Sequence, residues 1–75
     1  MDVLLVEDEP SIADAVLYAL ESEGVTCAWV STGSAALGQV EKERPSLVLL
    51  DIGLPDINGF DLFKKIRAKS DASII

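Results

Sequence analysis

The stretch Leu47–Phe60, LVLLDIGLPDINGF, restricts the fold more than any other part of the chain. Leu47 to Leu50 form an unbroken apolar run of the length of one strand, and its uniformity suits a strand buried on both faces of a parallel sheet. The run stops on a lone carboxylate, Asp51, and a loop punctuated by Pro55 and Gly59 follows. A strand covered on both faces needs helices above and below it, so the chain has to alternate strand with helix. Asp51 is then carried at the C-terminal end of its strand, where open α/β sheets hold their ligands.

The rest of the chain supplies that alternation. Val3–Val6 is a second uniformly apolar run, stopped by Glu7, Asp8 and Glu9. Pro10 suits the first turn of a helix, and Ser11 with Asp14 resembles a capping box. Ile12, Ala13, Val16, Leu17 and Leu20 predict an inward stripe along this helix, which Gly24 ends. Val25–Val30 interleaves apolar with small and polar residues, the pattern of an edge strand, and Trp29 reads as half-covered packing. Ser31 or Thr32 can cap a helix from about Ser34 to Glu43, with Ala36, Leu37 and Val40 inward and Pro45 enforcing its end. After the Ile52–Asn58 loop, Asn58 and Asp61 serve the N-terminus of a third helix whose inward residues are Leu62, Phe63 and Ile66. Asp61 and Lys65 make an i, i+4 pair in the favoured order, and the basic residues Lys64 to Lys69 complement that helix's C-terminal dipole. Ile74 and Ile75 begin a fourth strand.

This βαβαβα order predicts a flavodoxin-like, doubly wound parallel α/β sheet with right-handed crossovers. The two most apolar strands belong in the middle, giving the strand order 2-1-3 with strand 4 only begun. At 75 residues there is room for one small domain, which buries only about 60% of its unfolded surface. A formal charge of −7 with no His argues against direct nucleic-acid contact through this segment. Cys27 is the sole cysteine, with no basic neighbour to activate it, and no segment resembles a signal peptide or membrane span; together these features predict a reduced thiol in a cytoplasmic protein.

The order 2-1-3 brings Glu7 and Asp8 beside Asp51. Each close pair of like charges costs on the order of 4 kcal/mol at 4 Å in an effective dielectric of 20. A divalent cation such as Mg²⁺, which takes one or two carboxylates, a carbonyl and waters, offsets that repulsion. Alternatively, the acids sit in water near helix N-termini, where negative charge is favoured. Spacing leaves both readings open.

These residues resemble the N-terminal part of a response-regulator receiver domain, the phosphorylated module of bacterial two-component signalling. The resemblance rests on VLLVEDE, on the Thr32-Gly33 break after strand 2, and on D-x-x-L-P-x-x-x-G read as Asp51, Leu54, Pro55 and Gly59. It covers the whole chain, and GLPDINGF is most similar to receivers of winged-helix transcriptional regulators. The resemblance implies that Asp51 is the phosphoacceptor nucleophile, supplied by a sensor histidine kinase. It implies Mg²⁺ bound by Asp8 and Asp51 directly, by Glu7 through water and by the Gly53 backbone carbonyl, with Pro55 and Gly59 shaping the loop and Leu54 packing. It also implies a DNA-binding output domain outside this segment, and a non-enzymatic, signalling role.

Residues 1–75 then correspond to a partial receiver, since the family's sheet has five strands in the order 2-1-3-4-5. A Ser or Thr after strand 4 and a Lys after strand 5 normally contact the phosphoryl group. Neither is matched here: Ser73 precedes its strand, and Lys64, Lys65 and Lys69 lie on helix 3. The exposed edge of strand 3, or the Ile74-Ile75 stub, is expected to pair with a second copy of the chain. Two other readings are an unphosphorylated interaction or dimerisation module, and an Asp51-nucleophile phosphohydrolase. The latter is disfavoured because such enzymes usually place a second acid where this chain has Gly53.

Overall fold

A computed structural model describes all residues 1–75. Four strands and three helices alternate: β1 (Val3–Val6), α1 (Pro10–Ser22), β2 (Cys27–Val30), α2 (Gly33–Glu43), β3 (Leu47–Leu50), α3 (Gly59–Lys69) and β4 (Ser73–Ile74). All strand pairings are parallel, in the order β2-β1-β3-β4. The predicted 2-1-3 arrangement is therefore present, with β4 beyond it.

Alternation along β1 divides the core between the two faces. Leu4 and Val6 join Val48, Ala36, Val40, Leu62, Ile66 and Ala72 in the main core beneath α2 and α3. Val3 and Leu5 face the other way, toward the side on which α1 packs, and Leu5 shares a groove with Val16 of α1 and Leu49 of β3. Because α1 is the only helix on that side, only Ala13 of its predicted stripe is fully buried; Val16, Leu17 and Leu20 are half-buried and Ile12 is exposed.

Several local expectations are corrected. The proposed Ser11–Asp14 capping box is absent: the N-cap is Glu9, without a side-chain cap, because Pro10 already occupies the first helical position and places Ser11 inside the first turn. β2 starts at Cys27 instead of Val25. Val25 is used in ending α1, donating its N–H to the Leu20 carbonyl at 3.0 Å while Gly24, at φ 78°, donates to the Glu21 carbonyl. Thr26 is engaged by Asp2: the Asp2 carboxylate accepts from both the Thr26 N–H and its hydroxyl, at 3.2 and 2.9 Å.

On α3, Leu62 and Ile66 point inward as predicted, but Phe63 is exposed, with the Arg67 guanidinium 5.6 Å from its ring centroid. Asp61 and Lys65 form no ion pair; the one ion pair is Lys69–Glu41 at 3.2 Å, joining α3 to α2 at the surface. The β3 edge is not free either. It is paired within the chain by β4, with the Leu50 N–H donating to the Ile75 carbonyl at 2.9 Å, so the open edge on this side is that of Ser73–Ile75.

Candidate functional site

The register places the acids. Val6 pairs with Val30 on one side and Leu50 on the other, so the residues that leave the sheet beside one another are Glu7 and Asp51. The Glu7 N–H donates to the Val30 carbonyl at 3.1 Å, and the Asp51 N–H donates to the Val6 carbonyl at 3.0 Å. Both acids therefore hang from ladder bonds, where the backbone has little freedom to retreat. Carboxylate oxygens of Glu7, Asp8 and Asp51 all lie within 4.8 Å of one another, and all three residues are half-buried. No basic side chain pairs with any of them.

Local donors satisfy part of this negative charge. Asp51 Oδ1 accepts the Gly53 N–H and Glu7 Oε2 accepts the Glu9 N–H, each at 3.1 Å. These bonds leave the cluster without a countercharge. Removal from water pushes the Glu7 carboxyl above its ordinary value of 4.5, and the Asp51 charge and shared hydrogen bonding with Asp8 and Asp51 add to the rise against the Glu9 amide.

The sign of the consequence for stability follows from that direction. A carboxyl whose folded pKa is raised stabilises the fold below its unfolded value, and the contribution is lost as pH rises through the raised value. Glu7→Gln is therefore expected to raise the thermal midpoint near neutrality in chelator and to change it little below pH 4.5. Thermal circular dichroism at the two pH values checks this; equal effects at both would contradict it.

The loop after β3 is fixed by contacts that strand and helix patterning did not reveal. Asp56 caps α2 from across the molecule: Oδ1 accepts from the Gly33 N–H at 2.8 Å and Oδ2 from the Ser34 N–H at 3.1 Å. These two amide bonds hold its carboxyl below the usual range. Thr32 supplies the expected cap as well, accepting from the Ala35 N–H at 3.2 Å. A Cβ on Gly33 would overlap Ile57 Cγ2, so a glycine is what lets this loop seat against the α2 N-terminus. Leu54 is buried in the main core, as predicted, while Pro55 is exposed. Gly59 is buried with its N–H on the Ile52 carbonyl at 3.3 Å, and Asn58 caps α3 through the Phe60 N–H at 2.7 Å.

Gly53 is exposed two residues beyond Asp51, and a Cβ there would touch the Asp51 carboxylate at 3.7 and 3.9 Å. Ser73, expected before its strand, is instead the first residue of β4, and Lys64, Lys65 and Lys69 lie on α3 as expected, so none joins the acids. Cys27 is a free thiol whose pKa is pushed up by burial and by the Glu21 charge, away from the activated range. Trp29, predicted as packing alone, also makes a polar contact: its Nε1–H donates to the Glu7 carbonyl at 2.7 Å.

A hard oxygen-ligand cation fits this cluster. Every available side-chain donor is a carboxylate oxygen, and no His or thiol is nearby. Adjacent oxygens around Mg²⁺ lie about 3 Å apart. Carboxylate oxygens within 4.8 Å of one another are near enough for such an ion to sit among them.

The acids lie at the ends of the two central strands of an open parallel α/β sheet, beside the point where strand order reverses, which is where such sheets bind ligands. The chain matches the response regulator receiver domain over residues 3–75 and belongs to that family. It is 42% identical over 73 residues to the DNA-binding response regulator MtrA of Mycolicibacterium smegmatis, covering 97% of this chain and 32% of that protein. It is also 42% identical over 66 residues to the transcriptional regulatory protein CreB of Escherichia coli, covering 88% and 29%. The chain thus spans about a third of the length of these curated relatives. Among solved structures, it superposes on the response regulator TrrA, crystallised in complex with the histidine kinase ThkA, with TM-score 0.90 and 36% identity over 99% of this chain and 66% of that one. No helix of the chain is long and apolar enough to cross a membrane.

Proposed function

We propose that residues 1–75 are a partial receiver that accepts a phosphoryl group on Asp51. The observation that carries this reading is the convergence of the Glu7, Asp8 and Asp51 carboxylates within 4.8 Å at the ends of β1 and β3. An Asp51 carboxylate oxygen attacks phosphorus, the bond from phosphorus to the donor's histidine nitrogen breaks, and the nitrogen keeps the electron pair. Asp8 and Asp51 directly, Glu7 through water and the Gly53 carbonyl would be the groups that hold Mg²⁺. When bound, the metal neutralises charge on the acids and the transferring group. The half-buried backbone attachment of Glu7 and Asp51 keeps the nucleophile and the metal ligands in place.

The donor is a sensor histidine kinase, consistent with the complex formed by TrrA. The output is transcriptional regulation by a DNA-binding domain, as the names of the relatives suggest. The protein is cytoplasmic and is a switch without turnover of an external substrate; Gly53 offers no side chain to act as a second acid for hydrolysis.

The phosphoacceptor role is tested by incubating the chain with Mg²⁺ and an acyl phosphate. The expected result is a mass gain of one phosphoryl group that chelator prevents and hydroxylamine removes. No gain at saturating Mg²⁺ would overturn it.

A further inference from the structure

The β1–β2 ladder ends at the acidic turn with one bond exchanged for another. Val3 and Glu7 donate to the carbonyls of Thr26 and Val30, at 3.0 and 3.1 Å. In a parallel ladder of this register, the Glu7 carbonyl would next accept from the Thr32 N–H. Thr32 has instead left the sheet to become the N-cap of α2. The indole Nε1–H of Trp29 supplies the missing donor, 2.7 Å from the Glu7 carbonyl oxygen. Both backbone polar groups of Glu7 are thereby held by β2.

That carbonyl lies in the same rigid peptide plane as the Asp8 nitrogen, so fixing it fixes the plane from which the Asp8 side chain departs. Without the indole, this peptide would be free to rotate its carbonyl into water and carry the Asp8 carboxylate away from Asp51, as their mutual repulsion favours. The side chain is also well suited to the task. A half-buried indole has two torsions and a single donor, so it is oriented by its packing before any ligand arrives.

We propose that Trp29 is a positioning residue for the metal-binding turn, its indole N–H holding the Glu7–Asp8 peptide so that occupancy of the acidic cluster is felt at the indole ring. This rests on the metal site proposed above. The chain has one tryptophan, hence one indole N–H resonance in a ¹H–¹⁵N correlation spectrum.

On titration with MgCl₂, that resonance is expected to shift with the same midpoint as the backbone amides of Asp8 and Gly53. Trp29→Phe, which keeps an aromatic ring and removes the donor, is expected to weaken Mg²⁺ binding about two- to tenfold by calorimetry, the range of one net hydrogen bond. A stationary indole signal while the Asp8 and Gly53 amides move would overturn the proposal and leave the metal site standing, and so would an unchanged dissociation constant in Trp29→Phe. If neither the amides nor the indole responds to saturating Mg²⁺, the metal site itself is wrong and this inference falls with it. The titration of the unaltered chain decides the matter even if Trp29→Phe does not fold.

Discussion

Asp51→Asn is expected to reduce phosphoryl incorporation to background while leaving the chain folded. The amide has nearly the shape of the carboxylate, and its oxygen can still accept the Gly53 N–H that Oδ1 accepts at 3.1 Å. It has lost the negative charge that makes the oxygen a nucleophile. One of three acids within 4.8 Å has also become neutral, which relieves repulsion in the absence of metal. The variant should therefore melt no lower than the parent in chelator, yet bind Mg²⁺ more weakly with one anionic ligand gone. Mass spectrometry after incubation with Mg²⁺ and an acyl phosphate reads the first effect, and thermal circular dichroism reads the second. Full incorporation into Asp51→Asn would move the nucleophile elsewhere.

Gly59→Ala is expected to cost about 1–3 kcal/mol of stability, the range for forcing extra volume into a packed site. A Cβ at Gly59 would overlap Ile52 Cα and sit 2.7 and 2.8 Å from Ile52 Cγ2 and Cβ. Backbone cannot yield as a side-chain tip can. For a chain of this size, each kcal/mol lowers the melting temperature by roughly 4–8 °C.

The damage reaches the chemistry because Ile52 follows Asp51 directly: relief of the clash displaces the loop that carries Gly53, and phosphoryl incorporation should slow as well. Gly38, in the interior of α2, has no atom within 4 Å of its would-be Cβ. Gly38→Ala should accordingly stabilise the fold by about 0.5–1 kcal/mol, the helix-propensity gain. Parallel thermal melts of the two variants check the contrast, and a Gly59→Ala melt equal to the parent's would contradict the packing described.

The backbone plan was legible because it depends on local pattern. The runs Val3–Val6 and Leu47–Leu50 marked the central strands, the mixed pattern before Ser31 marked the edge, and the acids at the strand ends followed from order 2-1-3. What escaped was set by contacts between distant residues. Nothing near Asp56 indicates that its carboxylate seats on amides 23 and 22 residues earlier. Trp29 lies 22 residues from the carbonyl it binds, and hydrophobic periodicity describes its ring without saying where its single N–H points. The error at Phe63 has the same origin. A stripe on a helix says which side is inward, but α3 needs only Leu62 and Ile66 for the core, and Phe63 falls at the exposed margin. The Ser11–Asp14 pattern failed because Pro10 had already started the helix.

The central claim, that Asp51 is the residue that receives the phosphoryl group, is tested most directly by locating it. The chain is incubated with Mg²⁺ and an acyl phosphate, and the product is reduced with borohydride, which converts an aspartyl phosphate to homoserine. Peptide mass spectrometry then reads the position. Homoserine at Asp51, formed only when Mg²⁺ is present, is the predicted result; homoserine at Asp8 or Asp56, or stable phosphate on a Ser or Thr, would contradict the account.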